Sequence, residues 1–253
     1  MNEDRYVPVG NDVYIDEVGP QPGERLKRLV KPACYAALAA VTCSVLYAIA
    51  CFIRDGQEVA PRATCQSNLK QLSLAIYSYQ QDFDGKFPPV SVHTTNYTTA
   101  PPYAAPFGWA DAVLYDSGTM DTMNLSTFHC PSGTGTYTEN STAYGFTDFY
   151  YNGNLSQVAA GRVEDSSRTF LLGEGNSGTD ATTARYSYRE LPLQWVNDQH
   201  SPAWRHLEGA NYAFVDGHVK WLKPGQVNPQ AHDPNGFSFQ LRHHAEARRA
   251  QRG

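Results

Sequence analysis

From Ala33 to Ile53 the chain carries no charged residue. At 1.5 Å per residue this run of about 21 residues is long enough to cross the hydrocarbon core of a bilayer as a helix. Its polar members, Thr42, Ser44 and the cysteines Cys34, Cys43 and Cys51, are small and can be satisfied within a helix. Pro32 suits the first helical turn, where a missing N–H costs nothing. Arg25, Lys27, Arg28 and Lys31 crowd the N-terminal flank, whereas Arg54 and Arg62 beyond the run are diluted by Asp55 and Glu58. The positive-inside bias therefore puts residues 1–31 in the cytoplasm and the remainder outside. Two other readings fit the run less well. A cleaved signal peptide has a shorter apolar region and a shorter preceding segment. A buried core helix rarely goes so long without a charge.

After Pro61, which is expected to kink or break the helix near the membrane surface, the pattern changes to an amphipathic one. Cys65, Leu69, Leu72, Ile76 and Tyr79 recur at steps of four and three, with Gln66, Lys70, Gln71, Ser78 and Gln81 on the other side. Asp84-Gly85 caps this helix and Pro88-Pro89 forbid its continuation. A short helical stretch is expected around Trp109–Tyr115, and strands around Ala143–Tyr151 and Thr169–Leu172. The best β signal is Asn211–Leu222, with Asp216-Gly217 as a two-residue hairpin turn. That register puts Tyr212, Phe214, Val219 and Trp221 on one apolar face, packed on the helix stripe, with His218 and Lys220 towards solvent. The fold class expected is α+β: a long N-terminal helix, membrane span and ectodomain in one, packed on an antiparallel sheet. The organisation expected is a flexible tail (1–31), a span (32–54), an ectodomain (55–224) and a polar, partly disordered tail (225–253).

A net charge of −5, with basic runs only at the membrane flank and the C-terminus, gives no case for a nucleic-acid partner. The 16 Tyr, 20 Gly and 16 Pro suit an aromatic-cored, loop-rich ectodomain better than a helical bundle. The cysteines of the span match no metal or redox spacing and read as small apolar fillers. Cys65 and Cys130 fall outside, where an oxidising compartment favours a disulfide over two buried thiols. Closing that loop contributes about 4 kcal/mol in the chain-entropy description. Neither cysteine has a second ligand two to four residues away, which argues against zinc.

The run Cys65-Gln-Ser-Asn-Leu-Lys-Gln-Leu72, continued by Asp82-Phe-Asp-Gly-Lys-Phe-Pro-Pro89, resembles bacterial type IV pilin-like and type II secretion pseudopilin-like proteins. It is most similar to the large family, abundant in Planctomycetes-like and Armatimonadetes-like bacteria, with a C-terminal motif of His, nine residues, then Asp-Gly. Here the motif is His206, Asp216 and Gly217, within Gly209–Trp221. Gly108–Asp111, Phe128–Ser132 and Thr169–Glu174 extend the resemblance over about residues 33–224. It implies a hydrophobic N-terminal helix leading into an α+β head, a place in the bacterial inner membrane, and pseudopilin, secretion-system or homo-oligomeric partners. The chain departs from the family where precursors are processed. No Gly directly precedes the span, and no Glu occurs within it. The expectation is therefore a pseudopilin-like head on a permanent anchor, or an assembly component that never enters a filament.

No enzyme and no cofactor is expected, since nucleophile elbows and Gly-rich phosphate loops are absent. His206, Asp216 and His218 are better read as a loop histidine bonded to backbone and a turn than as a metal or acid–base cluster. Asp82 and Asp84 form only a weak calcium candidate, because Lys86 stands where the next oxygen ligand belongs. Glu174 and Glu190 could be imagined as a glycosidase pair, but nothing in the sequence places them together. The competing function is a membrane-tethered binding module for carbohydrate, using Tyr103, Trp109, Tyr188 and Trp195.

Overall fold

The computed structural model describes residues 22–92, 107–116, 124–133, 135–227 and 236–241. The chain divides into two compact units, Met1–Arg54 and Asp55–Gly253. Helix α1 runs from Pro22 to Asp82. It starts ten residues before Pro32, so that proline lies inside the helix rather than in its first turn. The helix also continues through Pro61 instead of ending there. A proline removes one backbone hydrogen bond and crowds one carbonyl, and intact turns on both sides carry the helix past that local cost.

In the first unit the apolar side chains of α1 face outward. Leu38, Val41, Val45, Leu46, Ile49 and Phe52 are all exposed along one broad face, and Tyr47 is exposed on the opposite side. A helix that is apolar all round belongs in a membrane or a large core. Thr42 and Ser44 donate their hydroxyls to the carbonyls of Ala39 and Ala40, so neither leaves an unpaired polar group. This helix is long and apolar enough to span a membrane.

The second unit is α+β. Helix α2 (Trp109–Asp116) is followed by β1 (Phe149–Asn152), β2 (Phe170–Glu174), β3 (Ser187–Tyr188), α3 (Leu193–Asn197), β4 (Ala210–Phe214), β5 (Val219–Leu222) and α4 (Pro224–Val227). The strands form one sheet in the order β3-β1-β2-β4-β5. All neighbours pair antiparallel except the edge strand β3, which lies parallel to β1. The sheet is thus mixed rather than wholly antiparallel, because the chain crosses from β2 to the far edge of β1 before forming β3.

Leu69, Leu72, Ile76 and Tyr79 are buried and join Trp109, Phe128, Phe149, Tyr151 and Leu172 in a core between α1 and the sheet. Each such side chain taken fully from water contributes about 2 kcal/mol. The polar side of α1 is not idle: Lys70 Nζ donates to the Gly217 carbonyl at 2.6 Å and Tyr77 Oη to that of Val215. Burial, with the Asp216 charge adding to it, pushes the Tyr77 phenol up to about 12, so it remains a donor at neutral pH. At the end of α1, Asp84 and Gly85 adopt positive φ and the Gly85 N–H bonds the Gln80 carbonyl, a left-handed cap.

The hairpin turn corrects the expected register. Gly217 N–H bonds Phe214 O, Phe214 N–H bonds His218 O, and Gly217 has φ +82°. The loop is therefore Val215-Asp216-Gly217, a turn closed by a left-handed glycine bulge, rather than a two-residue turn. Tyr212 pairs with Lys220, Ala213 with Val219 and Asn211 with Trp221. One residue of shift exchanges faces. Val219 packs on the core under α1, whereas Tyr212 and Phe214 enter a second core on the opposite face. His218 and Lys220 lie over that second face: His218 stacks on Phe214 at 4.2 Å and Lys220 sits over Phe237.

The second core gathers Tyr150, Phe170, Trp195, Tyr212, Phe214 and Phe239. A bulge in β2 between Phe170 and Leu172 lets Phe170 point into it while Leu171 and Leu172 both join the first core. Phe237 and Phe239 belong to the stretch expected to be a polar tail, yet they are part of the folded unit, tied by the Thr169–Ser238 bridge. Residues 228–235 and 242–253 of that tail, and the N-terminal 1–21, lie outside the described residues.

Candidate functional site

At the end of the sheet under α1, polar side chains from four separate segments converge. Cys65 on α1 forms a disulfide with Cys130, which lies in the loop after the 3-10 turn Leu125–Phe128. Glu58 is two helical turns before Cys65 and projects from the same face. Glu174 closes β2, and Asn211 is the second residue of β4. His206 stands in the loop before β4.

The backbone holds His206 firmly. Its N–H donates to the Gly209 carbonyl at 2.8 Å, and its own carbonyl accepts the Trp221 indole N–H at 2.7 Å. Leu207 and Glu208 between them have φ +51° and +67°. Two successive left-handed residues that are neither Gly nor Asn carry strain of order 1 kcal/mol each. A Cβ on Gly209 would meet the Trp221 ring at 2.5 Å, so only glycine admits that indole.

The imidazole lies between two carboxylates. Nδ1 is 3.3 Å from Glu58 Oε2, and Nε2 is 3.2 Å from Glu174 Oε1 and 3.4 Å from Cys130 Sγ. His206 and Glu174 are both 0% exposed, whereas the Glu58 side chain is 33% exposed. Glu174 also accepts the Asn211 backbone N–H at 3.1 Å and its Nδ2 at 2.7 Å, and Asn211 Oδ1 accepts from Gln66 Nε2 at 2.9 Å. Each ring nitrogen thus faces one carboxylate oxygen. The network begins and ends on α1, at Gln66 and Glu58, and fastens the helix to the sheet. Beneath the sheet, burial and then the Glu174 charge push the Tyr212 phenol up.

A second buried carboxylate orients the loop of Cys130. Asp148 accepts the Cys130 N–H at 3.0 Å and Asn176 Nδ2 at 2.7 Å, and His129 Nδ1 lies 3.5 Å away. Burial alone raises such a carboxyl, but the nearby His129 ring and the hydrogen bonds from Asn176 and the Cys130 N–H outweigh it and hold Asp148 below its ordinary value.

The residues of the His-x9-Asp-Gly pattern separate in space. His206 joins the buried cluster through its side chain, rather than bonding backbone with it as expected. Asp216 and His218 pair with each other at 2.6 Å at the partly exposed turn, beside Gly217. Among the described residues, the His, Cys and carboxylate groups placed to share an ion are Cys65, Cys130, Glu174 and His206. Asp82 and Asp84 are exposed at the helix cap and do not belong to that group. Glu190 is exposed while Glu174 is buried, so the imagined carboxylate pair occupies different environments. Of the aromatics considered for sugar stacking, Trp109 and Trp195 are core residues, Tyr188 is half-buried, and Tyr103 lies outside the described residues. In the sequence Glu58 stands out only as a flanking charge and Asn211 only as the start of a strand run. The available signals were the seven-residue step from Glu58 to Cys65 and a carboxylate ending the apolar Phe170–Glu174 run.

The second unit is thus an α+β domain with a disulfide-linked, histidine–carboxylate-fastened helix, and the described residues include one helix long and apolar enough to span a membrane. Residues 54–115 match the family model described as a protein of unknown function (DUF1559), a family associated with pilin-like and prepilin-type proteins. No curated protein and no solved structure matches the chain.

Proposed function

We propose that the chain is a membrane-anchored, pseudopilin-like structural component of a type II secretion or type IV pilus-like assembly, with its head outside the cytoplasmic membrane. It acts through protein–protein contacts and is not an enzyme. The observation that carries this reading is the division of labour along α1. Its first part exposes apolar side chains all round, while its later part supplies the stripe at the centre of an α+β core. The match over residues 54–115 and the outward-facing apolar helix point the same way. Partners are further pseudopilin-like subunits, a second copy of this chain, and lipid. A photo-crosslinking residue at Leu46 or Phe52 should trap protein adducts in living cells. Adducts with lipid only, and co-purification of no assembly subunit, would remove the reading.

A second reading, a tethered carbohydrate-binding module, rests on a cleft of about 440 Å³ lined by Phe107, Asp180, Thr183, Arg185, Tyr186 and Tyr188. Its size falls within the range of small-ligand sites, and it offers an aromatic face beside hydrogen-bonding groups. Binding on a glycan array that is lost in Tyr188→Ala supports this reading, and silence across the array removes it.

A further inference from the structure

The disulfide beside His206 occupies a position that a metal ion could take over. We propose that, once Cys65 and Cys130 are reduced, the cluster Cys65, Cys130, Glu174 and His206 is a tetrahedral Zn²⁺ site, so that this end of the head is held alternatively by a disulfide or by zinc.

The donor set is chemically apt. Two thiolates, an imidazole nitrogen and a carboxylate oxygen all rank among the common zinc ligands. Their four donor atoms already lie within 4.8 Å of one another, and all four residues are buried. With metal–ligand distances of about 2.3 Å to sulfur and 2.0–2.1 Å to nitrogen or oxygen, a tetrahedron has edges of about 3.3 Å between nitrogen and oxygen and 3.5 Å between sulfur and nitrogen. The structure has His206 Nε2 at 3.2 Å from Glu174 Oε1 and at 3.4 Å from Cys130 Sγ. The two sulfurs must part from bonding contact to about 3.7 Å, and donor pairs now as wide as 4.8 Å must close to tetrahedral edges.

The surroundings supply what first ligands need from their neighbours. A zinc-bound histidine ordinarily gives its other ring N–H to a carboxylate, which fixes the ring. Here Nδ1 faces Glu58 Oε2 at 3.3 Å. A ligating carboxylate is itself hydrogen-bonded, and Glu174 receives both the N–H and the side-chain amide of Asn211. The strained turn at Leu207-Glu208 and the indole bond to the His206 carbonyl set the ring before any ion arrives. Spacing along the chain could not show the site, because its ligands come from α1, the loop at Cys130, β2 and the loop before β4.

The exchange balances. A dithiol reductant gives two electrons and two protons to the disulfide, yielding two cysteine thiols and the oxidised form of the reductant. Zn²⁺ then binds both sulfurs as thiolates, releasing their two protons to solvent, and takes Nε2 of a neutral His206 ring. The remaining proton stays on Nδ1 and is donated to Glu58 Oε2.

The test uses full-length protein in detergent, carrying Cys34→Ser, Cys43→Ser and Cys51→Ser so that no span thiol competes. The chain is reduced with a phosphine, which ends as its oxide, and offered Zn²⁺ or Co²⁺ alone under anaerobic conditions. One equivalent of zinc per reduced chain is expected after desalting, and none for the oxidised chain. Cobalt should give the intense visible bands of a tetrahedral site with thiolate charge transfer. His206→Ala should abolish stoichiometric uptake. Glu58→Gln, which leaves all four ligands in place, should weaken it about 10- to 100-fold. Three results each overturn the proposal: a reduced, folded chain that takes up no metal, uptake unchanged by His206→Ala, or a head that stays unfolded with zinc present.

Discussion

Removing the His206 side chain separates two carboxylates that share one imidazole but differ in their access to water. In His206→Ala, Glu174 keeps its two bonds from Asn211 but loses its imidazole partner at 0% exposure. Breaking a buried charge pair by deleting one partner costs about 3–5 kcal/mol, because the remaining ion stays desolvated. The head is expected to lose that amount, a large share of the roughly 5–15 kcal/mol of a typical domain. Glu58, at 33% exposure, can exchange its imidazole contact for water, so Glu58→Gln is expected to cost less than about 1 kcal/mol. Urea titration in mild detergent, followed by tryptophan fluorescence, measures both. All four tryptophans (109, 195, 204 and 221) lie in the second unit and report on it alone. The comparison uses midpoints at equal slope, so that a change in the denatured state is not mistaken for lost stability. A loss below about 1 kcal/mol for His206→Ala, or an equal loss for Glu58→Gln, would refute the assignment of Glu174 as the charge that depends on His206.

Three further outcomes follow from the packing and the charges. Replacing Cys65 and Cys130 together with serine opens a loop of sequence separation 65 and should cost about 4 kcal/mol, read by the same titration. Because Asp148 is held below its ordinary value of 3.8, it stabilises the fold above that pH, and the contribution is lost as pH falls through the lower folded value. Asp148→Asn should therefore be less stable at pH 7 and show a shallower acid decline in thermal melts; a decline as steep as that of the parent would contradict this. A Cβ on Gly108 would stand 2.2 Å from the Ala184 carbonyl oxygen, so Gly108→Ala must move backbone at the start of α2 and should lower stability by more than about 1 kcal/mol. An unchanged urea midpoint would mean that this approach is looser than described.

The helix stripe was legible because Cys65, Leu69, Leu72, Ile76 and Tyr79 keep a helical period and every one of them is buried. The hairpin was legible as a hairpin, but its register was not. Asp216-Gly217 fits either a two-residue turn or a three-residue loop closed by a left-handed glycine. Tertiary bonds from Lys70 and Tyr77 to this turn accompany the second form. The second core was hidden because Trp195, Phe237 and Phe239 stand in segments with no periodicity to read. The cluster at His206 was half visible: the motif flagged the histidine, but its carboxylate partners lie 148 and 32 residues away and meet it only through the folded sheet.

The proposed disulfide-closed head that keeps its membrane helix is tested most directly by the intact mass of protein extracted from the membrane fraction, taken before and after reduction. The expected mass includes the apolar run of residues 33–53 and rises by two hydrogens when the Cys65–Cys130 bond is reduced. A lighter species lacking the apolar run, or a mass that does not change on reduction, would contradict it.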